Sequence, residues 1–132
     1  MRLPLLVLLA STLLGLAGGP ARAAEFDYPA AFTARDLPVN GTTLHVRSAG
    51  TGPAVVLLHG FGETGHMWQP LVEQLAQRHT VIVPDLRGAG DSDKPQDGYD
   101  KKTLAVDIHE LRGVCQLKDI KHETISAQTL LL

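Results

Sequence analysis

The chain holds a single cysteine, Cys115, so no disulfide can form within it. Cys115 sits in a helix-period segment, where a small buried hydrophobe fits better than a reactive thiol. Basic residues do not outnumber acidic ones: the formal net charge is −2, which gives no electrostatic footprint for nucleic acid. No block of like charge suggests a solvated tail, and no internal repeat or low-complexity stretch is present. The longest apolar run, Leu3 to Leu16, falls short of the roughly 20 residues that a membrane-spanning helix needs. With 44% apolar and 20% charged residues among 132, the remaining composition is that of an ordinary globular domain.

The N-terminal run reads instead as an export signal. Arg2 provides a short positive region, Gly18-Gly19-Pro20 breaks the apolar segment, and Ala21-Arg22-Ala23 fits the small-x-small cleavage rule. Cleavage is expected after Ala23, leaving a periplasmic or secreted protein without a stable membrane anchor. No cysteine follows the apolar run, so a lipid anchor is not expected.

The stretch from Ala54 to Ser92 organises the rest. Two short, wholly apolar runs, Ala54–Leu58 and Val81–Val83, flank a segment in which Trp68, Leu71, Val72, Leu75 and Ala76 fall at helical spacing. That is the pattern of a βαβ unit whose strands are buried on both faces. Pro70 fits only a first helical turn, so the helix should begin near Gln69. Upstream, Arg35–Val39 and Thr42–Arg47 alternate around Asn40-Gly41, the pair preferred in a tight hairpin turn. Glu25 to Ala34 reads as a leader. Downstream, Asp85 to Tyr99 is a long Gly- and Asp-rich loop. Asp100 or Thr103 then caps a second helix, in which Leu104, Ile108, Leu111 and Cys115 mark one face.

Each buried strand ends in a glycine-bearing turn, and ligands of open α/β sheets bind at the carboxyl ends of strands. The chemistry is therefore expected at His59–Gly62 and Asp85–Ser92. His59-Gly60-Phe61-Gly62 leaves backbone amides free to point into a cleft and stabilise negative charge; a plain strand-to-helix turn explains the same residues equally well. Gly88-Ala89-Gly90-Asp91-Ser92 has neither dinucleotide-binding nor P-loop spacing, so a phosphate cradle is disfavoured. His59 and His66 lack a third ligand at a sensible spacing, so no metal is expected. No cofactor is implied.

At these residues the chain resembles the α/β-hydrolase superfamily. The resemblance covers about Thr33 to Lys121. It rests on the hairpin, on Val55-Val56-Leu57-Leu58-His59-Gly60-Phe61-Gly62, on Trp68, and on Val83-Pro84-Asp85-Leu86-Arg87-Gly88-Ala89-Gly90-Asp91-Ser92. Asp93-Lys94-Pro95, Tyr99 and the helix carrying Asp107-Ile108 follow in order. The nearest branch is that of epoxide hydrolases and haloalkane or haloacid dehalogenases. That branch carries His-Gly-x-Pro and Gly-x-small-x-Ser; Gly88–Ser92 matches the second, whereas Gly62 stands where the first has proline. Esterases and carbon–carbon bond hydrolases also use His-Gly-Phe-Gly.

The resemblance implies an α/β fold: the N-terminal part of an α/β-hydrolase sheet, with an antiparallel hairpin, then a βαβ unit and one further helix. It implies that the Phe61 backbone N–H is one of two oxyanion-hole donors. His59, Gly60, Phe61 and Gly62 line the substrate side, and Asp85, Arg87, Gly88, Gly90 and Ser92 shape the loop after the next strand. The substrate of complete relatives is a small organic molecule, attacked by an Asp or Ser nucleophile with a histidine base and water.

The same resemblance shows what is missing. A G-x-nucleophile-x-G elbow is due just after Lys121. Ser126 lacks the flanking glycines, and Ser92 has Gly90 before it but Lys94 after it, so neither is an elbow serine. The acid and the catalytic histidine are absent as well. The chain is thus expected to divide into a signal (1–23), an N-terminal hydrolase portion (24–121) ending before the elbow, and a divergent tail (122–132), attributable to a frameshift or an early stop. Such an ending leaves Ala54–Leu58 as a bare sheet edge prone to association. A non-catalytic half-sheet that pairs with another chain, or a small ligand-binding protein, are the alternatives to an enzyme lineage.

Overall fold

In the computed structural model, residues 27–117 and the backbone of Ile125–Ser126 are described. The proposed signal segment and most of the 122–132 tail lie outside them. Five strands form one sheet: β1 (Thr33–Val39), β2 (Thr42–Ala49), β3 (Ala54–Leu58), β4 (Thr80–Pro84) and β5 (Ile125–Ser126), in the order β1-β2-β4-β3-β5. The β1–β2 and β2–β4 pairs are antiparallel, and β4–β3 and β3–β5 are parallel.

Asn40 and Gly41 both have positive φ, 42° and 71°, as a two-residue type I′ hairpin turn requires. Both strands of the hairpin run longer than the alternation suggests. Thr33 pairs with Ser48, and Ala49 pairs with Val81 of β4. Long-range pairing extends β2 into residues that carry no strand signal of their own.

The sheet is covered on both faces. Val55, Leu57, Val81 and Val83 point to one side and pack with Trp68 and Val72. Val56 and Ile82 point to the other, with Val39, Leu44, Val46 and Leu111. This two-sided burial is why the β3 and β4 runs are continuously apolar. The first face belongs to α1 (Gln69–Ala76), entered through a short 3-10 turn over Gly65–Trp68 and carrying Pro70 in its first turn. The second belongs to α2 (Lys101–Val114), capped by the Asp100 carboxylate, which accepts from the Thr103 N–H at 3.0 Å and the Thr103 hydroxyl at 2.6 Å.

The leader is not loose where it is described. Tyr28 and Phe32 meet edge to face and pack against the α1-side core, and the Tyr28 hydroxyl donates to the Gly65 carbonyl. The Arg47 guanidinium lies over the Tyr28 ring at 5.1 Å.

The expected bare edge of β3 is also modified. Leu57 and Leu58 pair with Ile125 and Ser126, so a strand joins the sheet where the sequence suggests that the familiar pattern ends. Unmet N–H and C=O groups on an apolar edge favour such pairing. Only the carboxyl end of β3 is covered on that side among the described residues.

Candidate active-site loop at the carboxyl end of the sheet

β3 delivers His59 directly into the turn Gly60-Phe61-Gly62-Glu63. The Glu63 N–H donates to the Gly60 carbonyl at 3.2 Å. Gly62, the third residue of this turn, has φ +78°, whereas Phe61 does not enter the positive-φ region. That combination is a type II turn. Proline, locked near −65°, cannot take the Gly62 conformation. The departure from His-Gly-x-Pro is thus a departure in backbone shape as well as in sequence.

His59 is buried at 6% exposure and joins two loops. Its Nε2 accepts the Leu86 N–H at 2.8 Å, and its Nδ1 lies 2.9 Å from the Gly60 carbonyl. Both ring nitrogens are therefore engaged. Phe61 is the opposite case: its side chain is fully exposed, and its N–H has no partner among the described residues. Space around Gly60 and Gly62 is open, since a Cβ at either would touch nothing within 4 Å. Among the described residues the Gly60 and Gly62 N–H groups also lack a partner, so the loop offers unpaired amides beside an apolar ring.

The second loop is built around Asp85, which is fully buried. Its carboxylate accepts from the Gly65 N–H at 2.7 Å and the Asp91 N–H at 3.0 Å, with Arg47 Nη1 at 3.4 Å. Burial alone would raise its pKa. The amides of Asp91 and Gly65, the Arg47 charge and His59 outweigh that and hold it below the ordinary carboxylate value. Gly90 passes so close that a Cβ there would lie 2.2 Å from Asp85 Oδ2.

The Ser92 hydroxyl donates to the Asp85 carbonyl at 2.6 Å and accepts the His45 N–H at 2.8 Å. Its lone pair and its proton are committed to the scaffold. The amides of Gly88, Ala89 and Ser92 bond carbonyls of Asp93, Leu86 and Ala89. The glycine cluster thus spends these amides on its own turns rather than on a cradle for an anion.

Arg87 completes the scaffold. Its Nε and Nη2 meet the two oxygens of buried Asp107 on α2 at 2.9 and 2.8 Å, and Nη2 also reaches the Asn40 carbonyl at 3.0 Å. The Asp107 hydrogen bond leads the effects that raise the Arg87 pKa above its ordinary value. Asn40 Nδ2 donates to Asp107 Oδ1 at 2.8 Å, so hairpin, loop and helix share one knot. Asp107 carries no catalytic motif of its own in the sequence. Its signal was a carboxylate between Leu104 and Leu111 on the buried stripe, where a charge must be paired. Cys115 is half-buried on the same helix face, and burial pushes its thiol pKa up, as suits a packing role.

The profile of a family described as alpha/beta hydrolase fold matches residues 53–125, which is more than half of the chain. The chain belongs to this family. Similarity places it in the epoxide hydrolase and dehalogenase branch. It is 48% identical over 73 residues to a soluble epoxide hydrolase of Corynebacterium sp. (strain C12), spanning 55% of this chain and 26% of that protein. It is 39% identical over 85 residues to a fluoroacetate dehalogenase of Burkholderia sp., spanning 61% and 28%. The solved structure of the epoxide hydrolase CorEH without ligand superposes with a TM-score of 0.62 at 43% identity, covering 64% of this chain and 30% of that one. The chain spans about a quarter of the length of the curated relatives it matches. The family match extends to residue 125 and includes the start of β5, past the Lys121 boundary suggested by the motifs.

Proposed function

We propose that this chain is the N-terminal portion of an exported hydrolase of the epoxide hydrolase or dehalogenase type, acting on a small organic substrate. The observation that carries this reading is the Phe61 N–H, unpaired among the described residues at the carboxyl end of β3. It lies in the stretch shared with the soluble epoxide hydrolase and the fluoroacetate dehalogenase. In the reaction proposed for the complete enzyme, a carboxylate nucleophile breaks the epoxide C–O or carbon–halogen bond to form an enzyme ester, and water then adds to the ester carbonyl, whose C–O bond breaks to release the alcohol product and the carboxylate. Negative charge builds on the carbonyl oxygen as water adds, and a preorganised amide stabilises it.

Gly60, Phe61 and Gly62 form the substrate side of the loop. Bare glycines leave room for a substrate, and the Phe61 ring adds apolar surface. His59 backs the loop through Gly60 and Leu86. Export rests on the Leu3–Leu16 run and the Ala21-Arg22-Ala23 cleavage pattern.

A single oxyanion donor is worth on the order of 3 kcal/mol when a nucleophile and base accompany it. The 132 residues hold no elbow nucleophile, so the chain by itself is inactive. Incubation with an aryl epoxide and with a haloacid, followed by diol and halide assays, tests this. Release at the buffer rate is expected; turnover proportional to protein concentration overturns it.

The edge of β3 favours a second reading. Its amino-terminal end is uncovered on the β5 side among the described residues, which suits strand addition by another chain. A stable dimer of defined mass in sedimentation, without hydrolysis, is the result that selects this reading.

A further inference from the structure

The Gly60 carbonyl and the Phe61 N–H belong to one peptide plane, and in a trans peptide they point in opposite directions. Whatever holds the carbonyl therefore aims the N–H. Two groups hold it: Glu63 N–H at 3.2 Å, and His59 Nδ1 at 2.9 Å. The Glu63 bond belongs to the turn itself. The His59 bond comes from outside the turn, and its polarity is decided elsewhere.

That decision is made at Leu86. A backbone amide can only donate, so the 2.8 Å contact from Leu86 N–H requires a lone pair on His59 Nε2. The neutral ring then carries its proton on Nδ1 and donates to Gly60. In the opposite tautomer both contacts fail together: Nε2–H would face Leu86 N–H, and the Nδ1 lone pair would face the carbonyl oxygen.

We propose that His59 is a positioning residue for the oxyanion donor: the Leu86 amide of the loop after β4 selects the His59 tautomer, and that tautomer orients the Gly60–Phe61 peptide. The loop after β4 thereby controls a donor on the loop after β3. This deepens the hydrolase reading and rests on it for the role of the Phe61 N–H. The test reads geometry rather than turnover, so the two fail separately.

The 132-residue chain, labelled with ¹⁵N, is measured by NMR. Long-range ¹H–¹⁵N correlations report the His59 tautomer, and coupling across the Leu86 N–H···Nε2 bond reports the contact. Protonated Nδ1 with a visible coupling to Nε2 is expected. A protonated Nε2, or no coupling, overturns the proposal without any variant. Residual dipolar couplings then follow the Phe61 N–H vector. In His59→Ala the Phe61 coupling should change while those of Val55–Leu57 and Val81–Val83 stay. His59→Asn, which keeps a donor near Nδ1 but drops the Leu86 acceptor, should retain the Phe61 coupling and shift the Leu86 amide. An unchanged Phe61 coupling in His59→Ala overturns the proposal, because Glu63 then suffices. A change that spreads through both strands in both variants overturns it too, because the residue is then only structural.

Discussion

Arg87 and Asp107 meet through two parallel hydrogen bonds, Nε to Oδ2 at 2.9 Å and Nη2 to Oδ1 at 2.8 Å, with both residues buried. This fork fixes the loop after β4 against α2, and through Asn40 against the hairpin. Arg87 follows Leu86 directly, so the fork anchors the loop that carries the Leu86 amide.

Removing one partner leaves the other charge buried and unpaired, which costs about 3–5 kcal/mol. Asp107→Ala should therefore lower the urea midpoint severely or abolish the cooperative transition. Arg87→Lys should also be destabilising, because an ammonium cannot reproduce the planar fork. Equilibrium unfolding by urea checks both. A midpoint within error of the parent's in Asp107→Ala contradicts the assignment.

Asp85 makes stability depend on acid. Its folded pKa lies below its unfolded one, so the unfolded chain binds the proton first as pH falls. The stabilisation is present above the unfolded carboxylate value and is lost as pH falls towards the folded value. Thermal melts from neutral pH down through pH ~4 should show this loss. Asp85→Asn should be less stable at neutral pH and should show a shallower decline in the acid window.

Tyr28 acts at the other end of the scale. Its pKa is pushed up to about 12, chiefly by burial, with Arg47 opposing and Asp85 reinforcing. Folding therefore favours the neutral phenol. The sign is that of a raised group: stability is intact below the ordinary tyrosine value and falls as pH rises towards about 12. Tyr28→Phe should remove this alkaline decline. At neutral pH it should cost only about 1 kcal/mol, the net value of the hydrogen bond to Gly65.

Two glycines with positive φ should respond differently. Gly62→Ala meets open space, so it bears only the left-handed backbone cost of about 1–2 kcal/mol. Gly90→Ala bears that cost and also drives a methyl to 2.2 Å from Asp85 Oδ2. It should be far more damaging and should weaken the acid dependence attributed to Asp85. Parallel urea titrations of the two variants give the comparison; equal midpoints contradict it.

Much of this was legible in the residues. Ala54–Leu58 and Val81–Val83 read as buried strands because both faces of the sheet are covered. Asn40-Gly41 announced its turn through the φ values it permits, and Pro70 marked the start of α1. Ser92 and the glycines around it read as scaffold, and their hydrogen bonds show how. The pairing of β2 with β4, the docking of Tyr28 under Gly65 and the short β5 had no local signal, since each depends on residues far apart in the chain. The Arg87–Asp107 fork lay between these cases. A carboxylate on an apolar stripe demands a partner, but nothing local says which one.

The proposed role of the Phe61 N–H as an oxyanion donor rests on its place at the carboxyl end of β3. The most direct measurement joins residues 24–117 to the remainder of the Corynebacterium soluble epoxide hydrolase in place of its own matching segment, then assays diol formation from an aryl epoxide. A chimera that melts cooperatively and forms diol is the expected result, with the rate reduced in His59→Ala. A chimera that melts cooperatively, retains the host's nucleophile and forms no diol contradicts that role.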